Sequence, residues 1–93
     1  MTVTDFEWDS EKAAANLRKH GVDFADAATI FDDPRCIAVR DPDASREERF
    51  VCIGADLAAR VLVTVFTLRG SAIRIISGRR ASRTERDRYL EIR

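Results

Sequence analysis

Very little in this 93-residue chain speaks for a metal, a nucleotide cofactor or a membrane. It has two cysteines, two prolines, four glycines and one histidine, and 16 Lys+Arg balance 16 Asp+Glu. A net charge of zero excludes a wholly basic chain held on nucleic acid by bulk attraction. Cys36 and Cys52 lie far apart in apolar runs with no C-x-x-C partner, and read as small core hydrophobes of a cytosolic protein. A lone histidine with no carboxylate cluster beside it argues against a protein-built zinc site. The absence of G-x-x-x-x-G-K and G-x-G-x-x-G argues against ATPases and dinucleotide enzymes. The longest apolar run, Val61 to Phe66 with Thr64 inside, is far below the ~20 residues of a membrane span, and no basic segment followed by an apolar stretch opens the chain. The expectation is a cytoplasmic protein that uses no metal and no cofactor and has no membrane partner.

At 45% hydrophobic and 34% charged, the composition is that of a folded chain. Its length predicts a single domain over 1–93 with one modest core, so function should sit on the surface or in a shallow cleft. Charge is distributed unevenly. Residues 1–33 carry eight acids against three bases, and residues 57–93 carry nine arginines against Glu85, Asp87 and Glu91. Only two of the 16 cations are lysine, a bias that favours planar two-point contacts with phosphate or carboxylate but that a preference for Arg codons would also produce.

Phe6 and Trp8 alternate with acids, which suggests a short edge strand. Asp9 or Ser10 then caps a helix over 10–20, with Ala13, Ala14 and Leu17 as its apolar stripe and Gly21 as its stop. A second helix starts at Asp23, buries Phe24, Ala27, Ala28 and Phe31, and ends at Asp33-Pro34. The period then changes to two over 36–40, 49–54, 60–68 and 72–79, with a polar loop over 41–46 and short turns around 56–59 and 69–71. This predicts an antiparallel meander whose third strand, apolar on both faces, is central. Ser82 and Glu85 fit a capping box that opens a final helix. The fold class expected is α+β: a twisted antiparallel sheet of four to five strands, two N-terminal helices and one C-terminal helix.

Handling a polyanion without a metal requires cationic donors and a proton acceptor around one phosphate. Arg74, Arg79 and Arg80 lie on the last strand, Arg69 at the adjoining hairpin and Arg49 at the start of a neighbouring strand, so several guanidinium groups can converge on one sheet face or edge. Arg74 and Arg79 fall on opposite faces of a regular strand, unless Gly78 introduces a bulge that turns Arg79 over. Pairing to the acidic N-terminal third suits Arg74 as well as binding does. On the first helix, Lys12, Asn16 and His20 are spaced i, i+4, i+8 with Lys19 beside them. His20 suits proton transfer, and equally suits a favourable place at the helix C-terminus. Tyr89 fits either base stacking or anchorage of the last helix to the sheet.

Phe6-Glu7-Trp8-Asp9, Lys12, Asn16, Lys19-His20-Gly21, Phe24, Ala27 and Phe31-Asp32-Asp33-Pro34 resemble the BrnT toxins of bacterial type II toxin–antitoxin systems. Glu48-Arg49, Ile53-Gly54, Arg69-Gly70, the run Arg74 to Ala81, Glu85-Arg86 and Tyr89 agree in order and spacing, although Gly78 stands where the family usually has Ala. The resemblance implies a fold similar to the RelE-type ribonucleases, metal-independent cleavage of RNA, and neutralisation by a BrnA-like antitoxin through which alone the chain would meet DNA. Together with the constellations above, it gives His20, Lys19, Arg49, Arg74 and Arg79 as candidate catalytic residues. Lys12, Asn16, Arg69, Arg80 and Tyr89 are the candidates for substrate binding. The alternative is a non-catalytic RNA- or protein-binding module, or a corepressor of a DNA-binding antitoxin.

Overall fold

Two helices and a 3₁₀ turn separate the first strand from the other four. A computed structural model describes residues 5–42 and 48–91. Its elements are β1 (Asp5–Glu7), α1 (Ser10–His20), α2 (Phe24–Thr29), a 3₁₀ turn (Ile30–Asp32), β2 (Ile37–Arg40), β3 (Phe50–Ala55), β4 (Val61–Arg69), β5 (Ala72–Arg80) and α3 (Arg83–Glu91). The strands form one sheet in the order β1-β5-β4-β3-β2, with β4 central as its two apolar faces require. The polar loop expected over 41–46 falls mostly outside the described residues.

The α+β class holds, with one correction to the sheet. β2 to β5 are antiparallel neighbours, but β1 lies parallel to β5, with Phe6 opposite Ile73 and Glu7 opposite Arg74. A parallel pair needs a long crossover, and everything from α1 to β4 supplies it.

The helix boundaries follow from their caps. Asp9 accepts from the Glu11 and Lys12 N–H groups at 2.8 and 3.1 Å, and Asp23 accepts from Ala25 N–H. Gly21 closes α1 in the left-handed region (φ 70°), where its N–H bonds Leu17 O. Ser82 and Glu85 make both bonds of the capping box.

α1 and α2 cover one face of the sheet, over a core of Val22, Phe24, Ala27, Ile30, Cys52, Leu62, Phe66, Ile73 and Ile75. Phe31 bridges Phe6 and Phe66 at ring distances of 5.5 and 5.0 Å. Cys36 and Cys52 meet in this layer as free thiols with sulfurs 2.9 Å apart, and burial pushes the Cys52 thiol up. The α1 stripe needs correction. Ala14 is exposed and Leu17 is 47% exposed, whereas Asn16 is buried with Ala13 half-buried beside it. α3 lies against the other face, where Tyr89 borders a small groove with Ile37, Val39, Val51 and Ile53.

Asn16 is buried because it completes the sheet. Beyond Arg74 the outer edge of β5 has no strand beside it among the described residues, and Asn16 takes the place of one: Nδ2 donates to Gly78 O at 2.8 Å and to Val22 O at 3.0 Å, while Oδ1 accepts from Gly78 N–H at 3.2 Å. Glycine is required at 78 by close approach, since a Cβ there would lie 2.9 Å from the Cβ of Ala27.

Candidate functional site

A β-bulge decides which arginines of β5 share a face. Ser77 lies opposite Val65 and Ile75 opposite Phe66, so Ile76 is the extra residue and the alternation resets there. Arg74 pairs with Thr67 and Arg79 with Val63, positions of like parity on β4, so both arginines occupy the face that carries α3. The bulge sits at Ile76 rather than at Gly78.

Sharing a face does not give them the same freedom. Arg79 is locked in a bidentate pair, with Nη1 2.7 Å from Glu85 Oε1 and Nη2 2.9 Å from Glu85 Oε2, and Nη1 also reaches Arg80 O. The Arg79 guanidinium holds the Glu85 carboxyl down to about 2, helped by hydrogen bonds from Ser82, and Glu85 raises Arg79 in return. Arg74 has one looser contact, Nη1 to Glu7 Oε2 at 3.4 Å. Arg69 is exposed at the end of β4, and Arg49 is exposed just before β3, where its carbonyl accepts from Asp41 N–H.

Tyr89 anchors the last helix. Its ring is 5% exposed, and its hydroxyl donates to Asp33 Oδ2, which also accepts from Ala55 N–H, while Asp33 Oδ1 accepts from Arg35 N–H. Burial, with the Asp33 carboxylate beside it, raises the Tyr89 hydroxyl to about 12, and the hydrogen bonds hold Asp33 low against its own burial. Asn16, fully engaged with Val22 and Gly78, is likewise part of the frame.

The remaining candidates lie on α1 and at the far end of β5. α1 starts beside Arg74, whose charge helps hold Asp9 below its ordinary value after the backbone bonds from Lys12 and Glu11, and its Asn16 contacts Gly78, so the helix follows β5 in the same direction. His20 lies one turn past Asn16 and Arg80 two residues past Gly78, and Lys19, His20 and Arg80 are all exposed. Lys12 is exposed two turns back, about 12 Å along the axis. Arg74 and Arg80 lie opposite Thr67 and Leu62, five residues apart on β4, which sets them about 17 Å apart along the sheet.

The pairing of Arg74 with the acidic N-terminal third, one of its two sequence readings, is made through Glu7, whereas sequence reasoning missed Asp33 as the partner of Tyr89 and two arginines near Arg80. Arg60 and Arg86 line a cleft of about 280 Å³ with Arg80, Ala59, Val61 and Ala81. The signal for Arg60 was present in the meander, since it stands just before the strand whose Leu62 pairs with Arg80. Among the described residues, no three His, Cys, Asp or Glu side chains are grouped to hold a metal, and no helix is long and apolar enough to cross a membrane.

No curated protein matches the chain. Its backbone superposes with a TM-score of 0.64 on the 1.1 Å crystal structure of the Brucella abortus ribonuclease toxin BrnT, at 31% identity over 86% of this chain and 100% of that one. The family described as the ribonuclease toxin BrnT of type II toxin–antitoxin systems matches residues 8–85. With most of the sequence inside the family's bounds and the backbone following a solved member, the chain belongs to the BrnT ribonuclease toxins.

Proposed function

We propose that this chain is an endoribonuclease that cuts RNA without a metal, arrests growth in the cytoplasm when free, and is neutralised by a BrnA-like antitoxin that supplies any contact with DNA. What supports this reading is the match of the BrnT ribonuclease toxin family over residues 8–85, together with the exposed Lys19 and His20 side by side in the last turn of α1. A proton acceptor and cationic donors are what a metal-free 2′-OH transesterification uses. Neutral His20 accepts the 2′-OH proton as that oxygen attacks the adjacent phosphorus. Lys19 stabilises the charge that builds on the phosphoryl oxygens, and the 5′ oxygen departs with a proton taken from solvent, leaving a 2′,3′-cyclic phosphate.

The other candidates take supporting parts. Arg74, held among the described residues by one long contact to Glu7, keeps donors for a phosphate about 17 Å along the sheet from Arg80, and Arg49, Arg69 and Lys12 extend that track. Arg79, Asn16 and Tyr89 serve the reaction through the frame that positions β5 and α3.

Expression of the chain alone in a bacterium should arrest growth with RNA decay. The purified protein should cut RNA in excess chelator and leave cyclic phosphate ends. Intact RNA, or cleavage that stops on chelation, would overturn the reading.

A further inference from the structure

The cleft between the β3–β4 turn, the end of β5 and the start of α3 has no role in the frame described above. Its walls carry three guanidinium groups, Arg60, Arg80 and Arg86, separated only by Ala59, Val61 and Ala81. Arg60 is fixed in place. Its Nε and Nη2 each lie 2.9 Å from Asp56 Oδ2, its Nη2 also lies 3.4 Å from Asp26 Oδ2, and Asp56 is itself buried and accepts the Ala58 and Arg60 N–H groups. This leaves Nη1 of Arg60 without a partner among the described residues. The Arg80 and Arg86 side chains are exposed, and neither makes a hydrogen bond or ion pair among the described residues. Arg60 is the one of the three with a carboxylate partner among the described residues. Two idle guanidinium groups and one pre-oriented one around a concavity form a site with its anion missing from the protein's own side chains.

We infer that this cleft binds a backbone phosphate of single-stranded RNA, held by Arg80 and Arg86 with Arg60 as the fixed wall. The inference rests on the ribonuclease reading and adds to it a subsite outside the reacting phosphate. The lining favours nucleic acid over a protein segment. Its apolar part is two alanines and a valine, too little to seat the buried aromatic or aliphatic anchor from which protein interfaces draw their affinity, while its charge matches a phosphodiester.

The test is equilibrium binding of a fully 2′-O-methylated single strand, which lacks the attacking hydroxyl, across a series of salt concentrations. Each phosphate neutralised contributes a slope of roughly −0.7 in log K against log salt, so the Arg80→Ala/Arg86→Ala double variant, which gives up the one phosphate of the cleft, should lose about 0.7 of the slope, and affinity with it. Arg83→Ala, an exposed α3 arginine outside the cleft, should leave the slope unchanged, and all three proteins should melt together. An unchanged slope in the double variant overturns the subsite. So does an equal loss in Arg83→Ala, or a double variant that loses only its antitoxin. Wild-type protein that binds the methylated strand with the expected slope yet leaves unmodified RNA intact removes the ribonuclease reading and keeps the cleft. Wild-type protein that cuts RNA while the double variant binds normally does the reverse.

Discussion

Arg79 and Arg80 are neighbours in sequence with opposite circumstances. Arg79 faces α3 and both arms of its fork are taken by Glu85, which in turn caps the helix through Ser82. Arg80, one pleat further on, faces the cleft with no side-chain partner among the described residues. Around Arg79, through Glu85, Tyr89 and Asp33, each charge has its complement within the chain and the result is a rigid joint. Around Arg80 the complement is missing, and positive charge faces solvent. The alternation of a strand is enough to place one arginine in the scaffold and the next at a surface that needs an outside anion.

Four measurements would break or sharpen that contrast. His20→Ala lies on the exposed side and should lower RNA cleavage by about 10²–10⁴-fold with an unchanged melting temperature; equal losses of stability and activity would make His20 part of the frame. Asn16→Ala, on the committed side, leaves the Gly78 N–H and the Val22 and Gly78 carbonyls without their partner and should cost about 3 kcal/mol in denaturant unfolding. RNA binding per folded molecule should survive, and its loss would return Asn16 to the substrate track.

Tyr89→Phe removes the hydroxyl that donates to Asp33 and should cost about 2 kcal/mol. In the wild type the chain's single tyrosine should ionise only near pH 12, and ordinary ionisation would mean that the joint is open in solution. The smallest effect concerns Glu85. Its folded value of about 2 lies below its ordinary 4.5, so its contribution is present above the ordinary value and is lost as pH falls from about 4.5 toward 2. Glu85→Gln should flatten this part of the melting temperature's pH profile, and an unaltered profile would show that the pair adds no stability.

The sequence displayed what local rules govern. Asp9, Asp23 and Ser82-Glu85 announced three helix starts, and the apolar run of β4 announced the centre of the sheet, because caps and periodicity depend on neighbours in the chain. What it concealed depends on pairing at long range. Asn16 reads as part of a polar helix face until Gly78, 62 residues away, takes up its amide. Leu17 reads as core until the helix is rolled to bring Asn16 inward. Arg74 and Arg79 could be put on one face only by locating the bulge, and the inserted residue is Ile76, an unremarkable strand former beside the glycine that looked responsible. At the cleft, local reading singled out Arg80 but missed Arg60 and Arg86, which join it only through the sheet register and the placement of α3.

The Asn16–Gly78 contact also bears on how copies of this domain can associate. A sheet with two open edges can recruit a further copy at each, and such growth has no natural end. Here β1 occupies the start of the outer edge of β5 and one carboxamide occupies Gly78, so the hydrogen-bonding groups an incoming strand would use there are already spent. At the opposite margin β2 pairs with β3 alone among the described residues. The margin of β1 and β5 offers an incoming strand only the three residues of β1 and a β5 edge interrupted at Gly78 by a carboxamide, a short and broken template for edge-to-edge addition.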